Sequence, residues 1–455
     1  MTVEDWLDAH QDEALATLQA FCRIASVSTD PAFAAGMAEA AAFVAAQLTA
    51  AGFPLVEVIA TGGHPAVLAE WCTVPGAPTV LVYGHYDVQP PDPLDKWLTP
   101  PFQPDLRHDR LYARGVSDDK GPLLIPILVA RAFHQVAGGL PINLKILIEG
   151  EEETGSPHFE PTVARLRDRL ACDVVVSADG AMWRADLPSV TVASRGLVAL
   201  EVAVRGAAKD LHSGRHGGSA PNPLRALVAM LASLHDGDGH VIVPGFHDGT
   251  TAPDPAIVAA IAGLGFDAGR YFDEIGAARP DPLPSGDDLL TRQWLRPTLE
   301  FNGISGGYAG VGSKTVIPDS ASVKITCRLV AGQVPEAVAA AITRHLQSVL
   351  PSGYGLDVQA RGPGTAAFAL DPDLPALRVA MDILTEVLGA RPLRVAMGAT
   401  IPIGDVFARH LGVGTIFFSF STSDEDYHAP NEFLRLSSFR QGQIAWARLF
   451  ERLRQ

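Results

Sequence analysis

The chain has 455 residues, 47% hydrophobic and 19% charged, room for roughly two to four domains and a substantial core. Its 35 Lys and Arg against 51 Asp and Glu leave a formal charge of −16, which argues against a nucleic-acid partner. The most apolar run noted, residues 123–133, is too short to cross a membrane and is interrupted by Pro126 and Arg131, so no membrane association is expected. The opening MTVEDWLDAH is acidic and reads as no secretory leader. Cys22, Cys72, Cys172 and Cys327 lie far apart without a CxxC pair, as expected of reduced thiols in a cytoplasmic protein.

In chain order, Trp6, Leu7, Leu15, Leu18, Phe21 and Cys22 recur at helical spacing, and an Ala-rich helix runs from Pro31 to a C-cap at Gly52. TVLVYG (79–84), NLKILIEG (143–150) and DVVVSA (173–178) then read as buried strands, with helices after Lys120 and His158 between them. That alternation predicts an α/β fold around a mostly parallel sheet. From Leu197 the texture changes. LVALEVAVRG and SVKITCRLV alternate like half-exposed strands, and residues 223–234 and 333–350 read as helices, together a small α+β domain. The Gly-, Pro- and Asp-rich stretch 236–297 gives no clear order of elements. A helix over 376–388 and the apolar run 413–421 return to the first texture. The expected architecture is a discontinuous catalytic domain (1–196 and 367–455) with an inserted lid and dimerisation domain (197–366).

Each buried strand leads directly into potential metal ligands: His85 and Asp87 after the first, Glu151, Glu152 and Glu153 after the second, Asp179 after the third. Asp118-Asp119-Lys120 precedes the helix between the first two, and the run 413–421 leads through STSDEDY to His428. Taken singly, these are ordinary loop residues. Open α/β sheets, however, form their sites beyond the carboxyl ends of the strands, so the groups should converge on a divalent cation such as zinc or manganese.

The blocks GHYDVQP (84–90), LYARGVSDDKGP (111–122), EGEEETGSP (149–157), KDLHSG (209–214) and GGYAGVGSKTVIP (306–318) carry a resemblance over nearly the whole chain. In spacing and order it resembles the dinuclear metallohydrolases that include aminoacylase, acetylornithine deacetylase, succinyl-diaminopimelate desuccinylase, glutamate carboxypeptidase and cytosolic dipeptidases, and most closely the carnosine-dipeptidase-like branch. That resemblance implies two divalent metal ions per subunit, zinc or alternatively manganese, bridged by Asp118. His85 and Asp179 would hold one ion, Glu153 and His428 the other. Glu152 would be the general base, Asp87 would orient His85, and Glu151 would be spare. Two divalent cations against three carboxylates leave one positive charge, which suits a bridging hydroxide as nucleophile.

The resemblance further implies that His212 stabilises the oxyanion from a partner subunit of a homodimer, and that Thr315, Arg328 and Thr400 hold the substrate's carboxylate end. Where dipeptidase relatives carry Arg-Glu-Gly-Gly-(Ser/Thr)-Ile-Pro, this chain has Ala396-Met397-Gly398-Ala399-Thr400-Ile401-Pro402, so the charged pair is missing. The expected activity is hydrolysis of dipeptides or related carboxylate-bearing amides, with N-acyl-amino-acid deacylation as the alternative. Two decoys fall away. Gly303 to Gly307 satisfies GxSxG but lacks the strand–turn–helix setting that a serine nucleophile needs. Gly307 to Lys314 resembles a phosphate loop but has Ser313 between the last Gly and the Lys, with no helix after it. A non-catalytic relative would be expected to lack a ligand or the base, and every such position is filled.

Overall fold

The structure is a computed structural model that describes residues 1–454. The chain divides into two compact units, Met1–Val192 with Leu370–Val395 and Val406–Gln455, and Ala193–Ala369 with Ala396–Asp405.

The first unit is built on a six-stranded sheet. Its order is Leu55–Ile59, Ala66–Trp71, Asn143–Glu149, Thr79–His85, Val174–Ser177 and Thr415–Phe417. The last four run parallel to one another, and the first two are antiparallel additions at one edge. The central strands are apolar along their whole length because both faces are covered: Val80, Leu81, Val82, Leu144, Ile146, Val175 and Val176 are fully buried. The apolar run 413–421 is a strand only over Thr415–Phe417; beyond it Phe418 N still donates to Ser177 O at 2.9 Å.

Helices Gly121–Ala137 and Leu436–Leu453 pack against each other at the level of Gly442. A Cβ on Gly442 would lie 2.6 Å from Ile125 Cδ1, so glycine permits the close approach. Trp446, in the second of these helices, is fully buried against Phe418 and Phe450 with ring centroids 5.5 and 5.7 Å away. The segment 31–50, unlike residues 123–133, is by length and composition apolar enough to cross a membrane. Much of that apolar character is alanine, and the helix buries Met37, Ala40, Ala41, Val44 and Leu48 inside the unit.

The second unit has a four-stranded antiparallel sheet in the order Thr298–Gly306, Ser320–Leu329, Gly196–Arg205, Gly355–Ala360. Burial alternates residue by residue along Gly196–Arg205 and Ser320–Leu329. One face packs on helices Pro223–Ala232 and Pro335–Val349 through Val198, Val202, Val323, Ile325, Leu227 and Ile342. Within the stretch that gave no order from sequence lie the helices Pro255–Leu264, Ala268–Glu274 and Gly286–Leu295. Asp254, Asp267 and Ser285 cap them, so the polar residues that look like loop in the sequence are helix N-caps. Residues 396–405 pack with this unit: Arg195 N donates to Met397 O at 3.2 Å and Arg195 Nε to Gly398 O at 2.8 Å.

Because Trp446 fills the space between the helix pair and the 418–420 segment, Trp446→Ala should cost the first unit about 3–5 kcal/mol. A urea titration followed by far-UV circular dichroism would show this as a lower midpoint for that unit. An unchanged midpoint would mean that the neighbouring rings close the gap.

Candidate metal centre

The three central parallel strands end side by side, with His85 in register with Glu149 and Tyr83 with Ser177. Hydrogen bonds continue past the strand ends, Tyr86 N to Glu149 O at 2.9 Å and Ala178 N to Tyr83 O at 2.8 Å. The residues that follow are therefore delivered to one rim. His85, Asp118 and Asp179 form one group of donor atoms lying within 4.8 Å of one another, and Asp118, Glu153 and His428 form a second. Asp118 belongs to both. Its Oδ1 is 3.0 Å from His85 Nε2 and its Oδ2 is 2.9 Å from His428 Nε2, while Glu153 Oε2 is 3.3 Å from His428 Nε2.

His85 is fully buried, and its Nδ1 lies 3.1 Å from Asp87 O and 3.3 Å from Asp87 Oδ1, which leaves Nε2 to face Asp118. The Asp87 carboxylate also accepts from Glu152 N at 3.2 Å and Glu153 N at 3.0 Å. One buried side chain thus fixes both the histidine ring and the turn that carries the two glutamates. Glu151 points elsewhere: it is buried and hydrogen-bonded to His158 Nδ1 at 2.9 Å. Gln89 Nε2 donates to Glu153 Oε2 at 2.7 Å.

The electrostatics are those of crowded carboxylates held together by histidine protons. Burial would raise Asp118, but hydrogen bonds from His428 and His85 hold it well below the usual carboxylate range. The bonds to Asp118 and Glu153 push His428 up to about 10. Burial pushes Asp179 up to about 6, opposed by His85 and reinforced by Asp118. Burial also raises Glu152 well above the ordinary value, with Asp179, Asp118 and Glu153 adding to it and His85 opposing. Two imidazoles and several carboxylates at this spacing are a nitrogen-and-oxygen donor set that fits a pair of divalent cations sharing Asp118.

Sequence reasoning missed the side chain that shapes the Asp118 turn. Glu432 is 1% exposed and accepts from Gly115 N at 2.8 Å, Ser117 N at 2.9 Å and Asp118 N at 3.2 Å, with Arg114 Nη1 at 2.7 Å as its buried counter-ion. Glu425, also buried and pushed up to about 7 by burial, accepts from Ser117 Oγ at 2.7 Å. Lys120, next to that turn, is buried with Nζ on Phe21 O and Ile24 O. The available signal was the pair of buried charges that Arg114 and Glu432 must form, but their separation of 318 residues hides it. His428 (φ 64°), Asp426 (φ 52°) and Asn431 (φ 67°) occupy the left-handed region, and Asn431 anchors that loop to Leu98 N and Lys96 O.

The remaining expected residues lie in the second unit as two pairs. His212 is exposed beside Thr315: Leu211–His212 pairs with Val316–Ile317, and Ser213 N donates to Thr315 O at 3.0 Å. Arg328 Nη1 donates to Thr400 Oγ1 at 2.7 Å. Ser305 of the GxSxG decoy sits in an extended strand with its Oγ 2.9 Å from Ser322 Oγ, and has no nucleophile elbow.

The family model for peptidase family M20/M25/M40 matches residues 81–452 of this chain. The chain is 31% identical to the Beta-Ala-His dipeptidase of Mus musculus over 98% of its own length and 94% of the relative. Among solved structures, the di-peptidase Dug1p of Saccharomyces cerevisiae aligns with a TM-score of 0.78 at 26% identity, covering 99% of this chain and 98% of that one. The metallo-carboxypeptidase Sso-CP2 of Sulfolobus solfataricus aligns with a TM-score of 0.84 at 27% identity, covering 96% and 98%.

A Glu432→Ala variant should loosen the Asp118 turn and weaken metal affinity by about 10–100-fold, as removal of a partner behind the ligands does elsewhere. Competition of the purified protein with a chromophoric chelator measures this directly. Wild-type affinity in a folded variant would show that the turn holds its shape without Glu432.

Proposed function

Because this chain belongs to peptidase family M20/M25/M40, we propose that it hydrolyses the amide bond of dipeptides bearing a free carboxylate, at a centre of two divalent cations sharing Asp118. The observation that carries the reading is the double sharing of Asp118 beside a half-buried Glu152 that belongs to neither donor group. The dipeptidase names of the relatives favour dipeptides over N-acyl amino acids. His85 and Asp179 would hold one cation, Glu153 and His428 the other. Zinc suits this mixed donor set, and manganese is the alternative. When bound, such a pair supplies acidification of a water molecule and polarisation of the scissile carbonyl.

The protein's own groups perform the remaining steps. Glu152 takes a proton from the attacking water and passes it to the departing amine, so it must cycle between carboxylate and acid. Asp87 keeps His85 in the tautomer that leaves Nε2 facing Asp118 and holds the 152–153 turn in place. His212 donates to the developing oxyanion. Arg328, with Thr400 and Thr315, receives the substrate's terminal carboxylate.

We further propose a cytoplasmic homodimer without nucleic-acid or membrane partners. The charge of −16 and four free cysteines support this. The strand Thr298–Gly306 is an edge of its sheet and is exposed from Glu300 onward, with Phe301 at 40% and Ile304 at 53%, so it offers an open ladder to a second copy.

Glu152→Gln keeps shape but cannot carry a proton. It is expected to retain both metals and lose about 10²–10⁴ in kcat, which metal analysis alongside steady-state kinetics would test. Near-normal turnover would remove Glu152 from the role of base. Mixing inactive His212→Ala chains with inactive Glu152→Gln chains should restore up to about a quarter of wild-type activity if His212 acts in trans across a two-fold dimer. No recovery after verified subunit exchange would place His212 in its own chain's site or outside catalysis.

A further inference from the structure

Arg195 lies immediately before the strand Gly196–Arg205. Leu197 is in register with Arg328, so Arg195, two residues earlier, falls on the same face of the sheet as a diagonal neighbour of Arg328. That face is the one turned away from the helices Pro223–Ala232 and Pro335–Val349, since the buried neighbours Val198 and Cys327 point into the core they cover. Two guanidinium groups therefore stand side by side on the open face, both half-buried.

Their hydrogen bonds leave both charges without a paired anion. Among the described residues, Arg195 bonds only to carbonyls, Gly398 O at 2.8 Å through Nε and Arg296 O at 3.3 Å through Nη1. Arg328 bonds to the neutral hydroxyl of Thr400. Glu300, exposed opposite Thr326 and two residues along from the Thr298–Arg328 pair, stands on the same face as a diagonal neighbour of Arg328, and its charge acts on Arg195. The partners that the segment 396–405 gives the two guanidinium groups, Gly398 O and Thr400 Oγ1, are uncharged. Burial, reinforced by the charge of Arg328 and opposed by that of Glu300, lowers Arg195 to about 10. Two like charges held together and partly desolvated gain most from an anion that reaches both.

We propose that Arg195 and Arg328 together form a dicarboxylate subsite, in which Arg328 takes the terminal carboxylate and Arg195 a side-chain carboxylate, so that Arg195 sets a preference for dipeptides ending in aspartate or glutamate. The substrate part of this inference rests on the dipeptidase reading above. The chemistry is that of charge-assisted hydrogen bonds: among the described residues Arg195 donates through Nε and Nη1, which leaves Nη2 for a ligand, and a guanidinium matches a planar carboxylate better than a point charge does. Arg195 is thus a specificity residue, with its backbone and Nε set by the 397–398 segment.

The test compares acid with amide in near-isosteric pairs, Gly-Asp against Gly-Asn and Gly-Glu against Gly-Gln. Calorimetric binding to the metal-loaded Glu152→Gln protein should favour the acids by about 10-fold or more, and adding Arg195→Gln should bring that ratio to about 1–2. Adding Arg195→Lys instead should keep part of the preference, because the charge remains while the fork is lost. If Arg195 served only to hold the 397–398 segment, its loss would weaken acid and amide alike and leave the ratio where it was, which would overturn the proposal. An equal affinity for acid and amide before any Arg195 substitution would overturn it too. Turnover of the same peptides by the wild-type enzyme is read separately. Arg195-dependent acid binding without hydrolysis would sustain the subsite and defeat the dipeptidase reading, whereas hydrolysis without acid preference would do the reverse.

Discussion

Asp118 is one carboxylate approached on both oxygens by imidazoles from opposite ends of the chain, His85 near the start and His428 near the end. Two histidines cannot share so small an anion unless the backbone beneath it is fixed, and here three successive loop features fix it. Glu432 takes the N–H groups of residues 115, 117 and 118, Glu425 takes the Ser117 hydroxyl, and Lys120 ties the end of the turn to the carbonyls of Phe21 and Ile24. Each of these three side chains is buried, so each hydrogen bond forms in a setting where leaving it unmade would be costly. The metal centre is thus supported from behind by a polar network that contributes no donor atom of its own.

The same logic explains the division of labour at the glutamate turn. Three consecutive acids follow the strand Asn143–Glu149, and only the backbone direction distinguishes them. Asp87 captures the N–H groups of Glu152 and Glu153, which sets the pitch of the turn, while His158 draws Glu151 away. Glu153 then falls beside His428 and Glu152 is left half-buried, outside both donor groups. Adjacent identical residues thus occupy two different settings because a single aspartate holds the peptide between them.

Much of this was legible in the sequence. The strands could be read because fully buried parallel strands are short apolar runs, and the donors could be read because such sheets place their sites where those runs stop. His85, Glu153 and Asp179 each follow a run by a residue or a few. What the runs could not reveal was any partnership across hundreds of residues. Nothing in the spacing of Arg114 and Glu432 links them, and Lys120 reads as a turn lysine although its ammonium is buried. The stretch 236–297 was opaque for a different reason: its helices are ten residues or fewer and begin at Asp or Ser caps, so loop and helix signals overlap. Residues 396–405 were assigned by their neighbours in sequence, whereas hydrogen bonds to Arg195 and Arg328 place them with the second unit.

The lateness of His428 and Glu432 has a consequence for biosynthesis. By the time Asp179 has been made, His85, Asp118 and Asp179 are all present, yet the turn beneath Asp118 still lacks its acceptor and the second donor group lacks its histidine. At about 5–20 residues per second, the ribosome needs roughly 12–50 seconds more to deliver them. Throughout that interval the chain has only the first of the two donor groups, on a turn that lacks Glu425 and Glu432, and any product truncated before residue 428 stays in that condition. Only completion of the chain brings the second donor group and the acceptor beneath Asp118 together with the first.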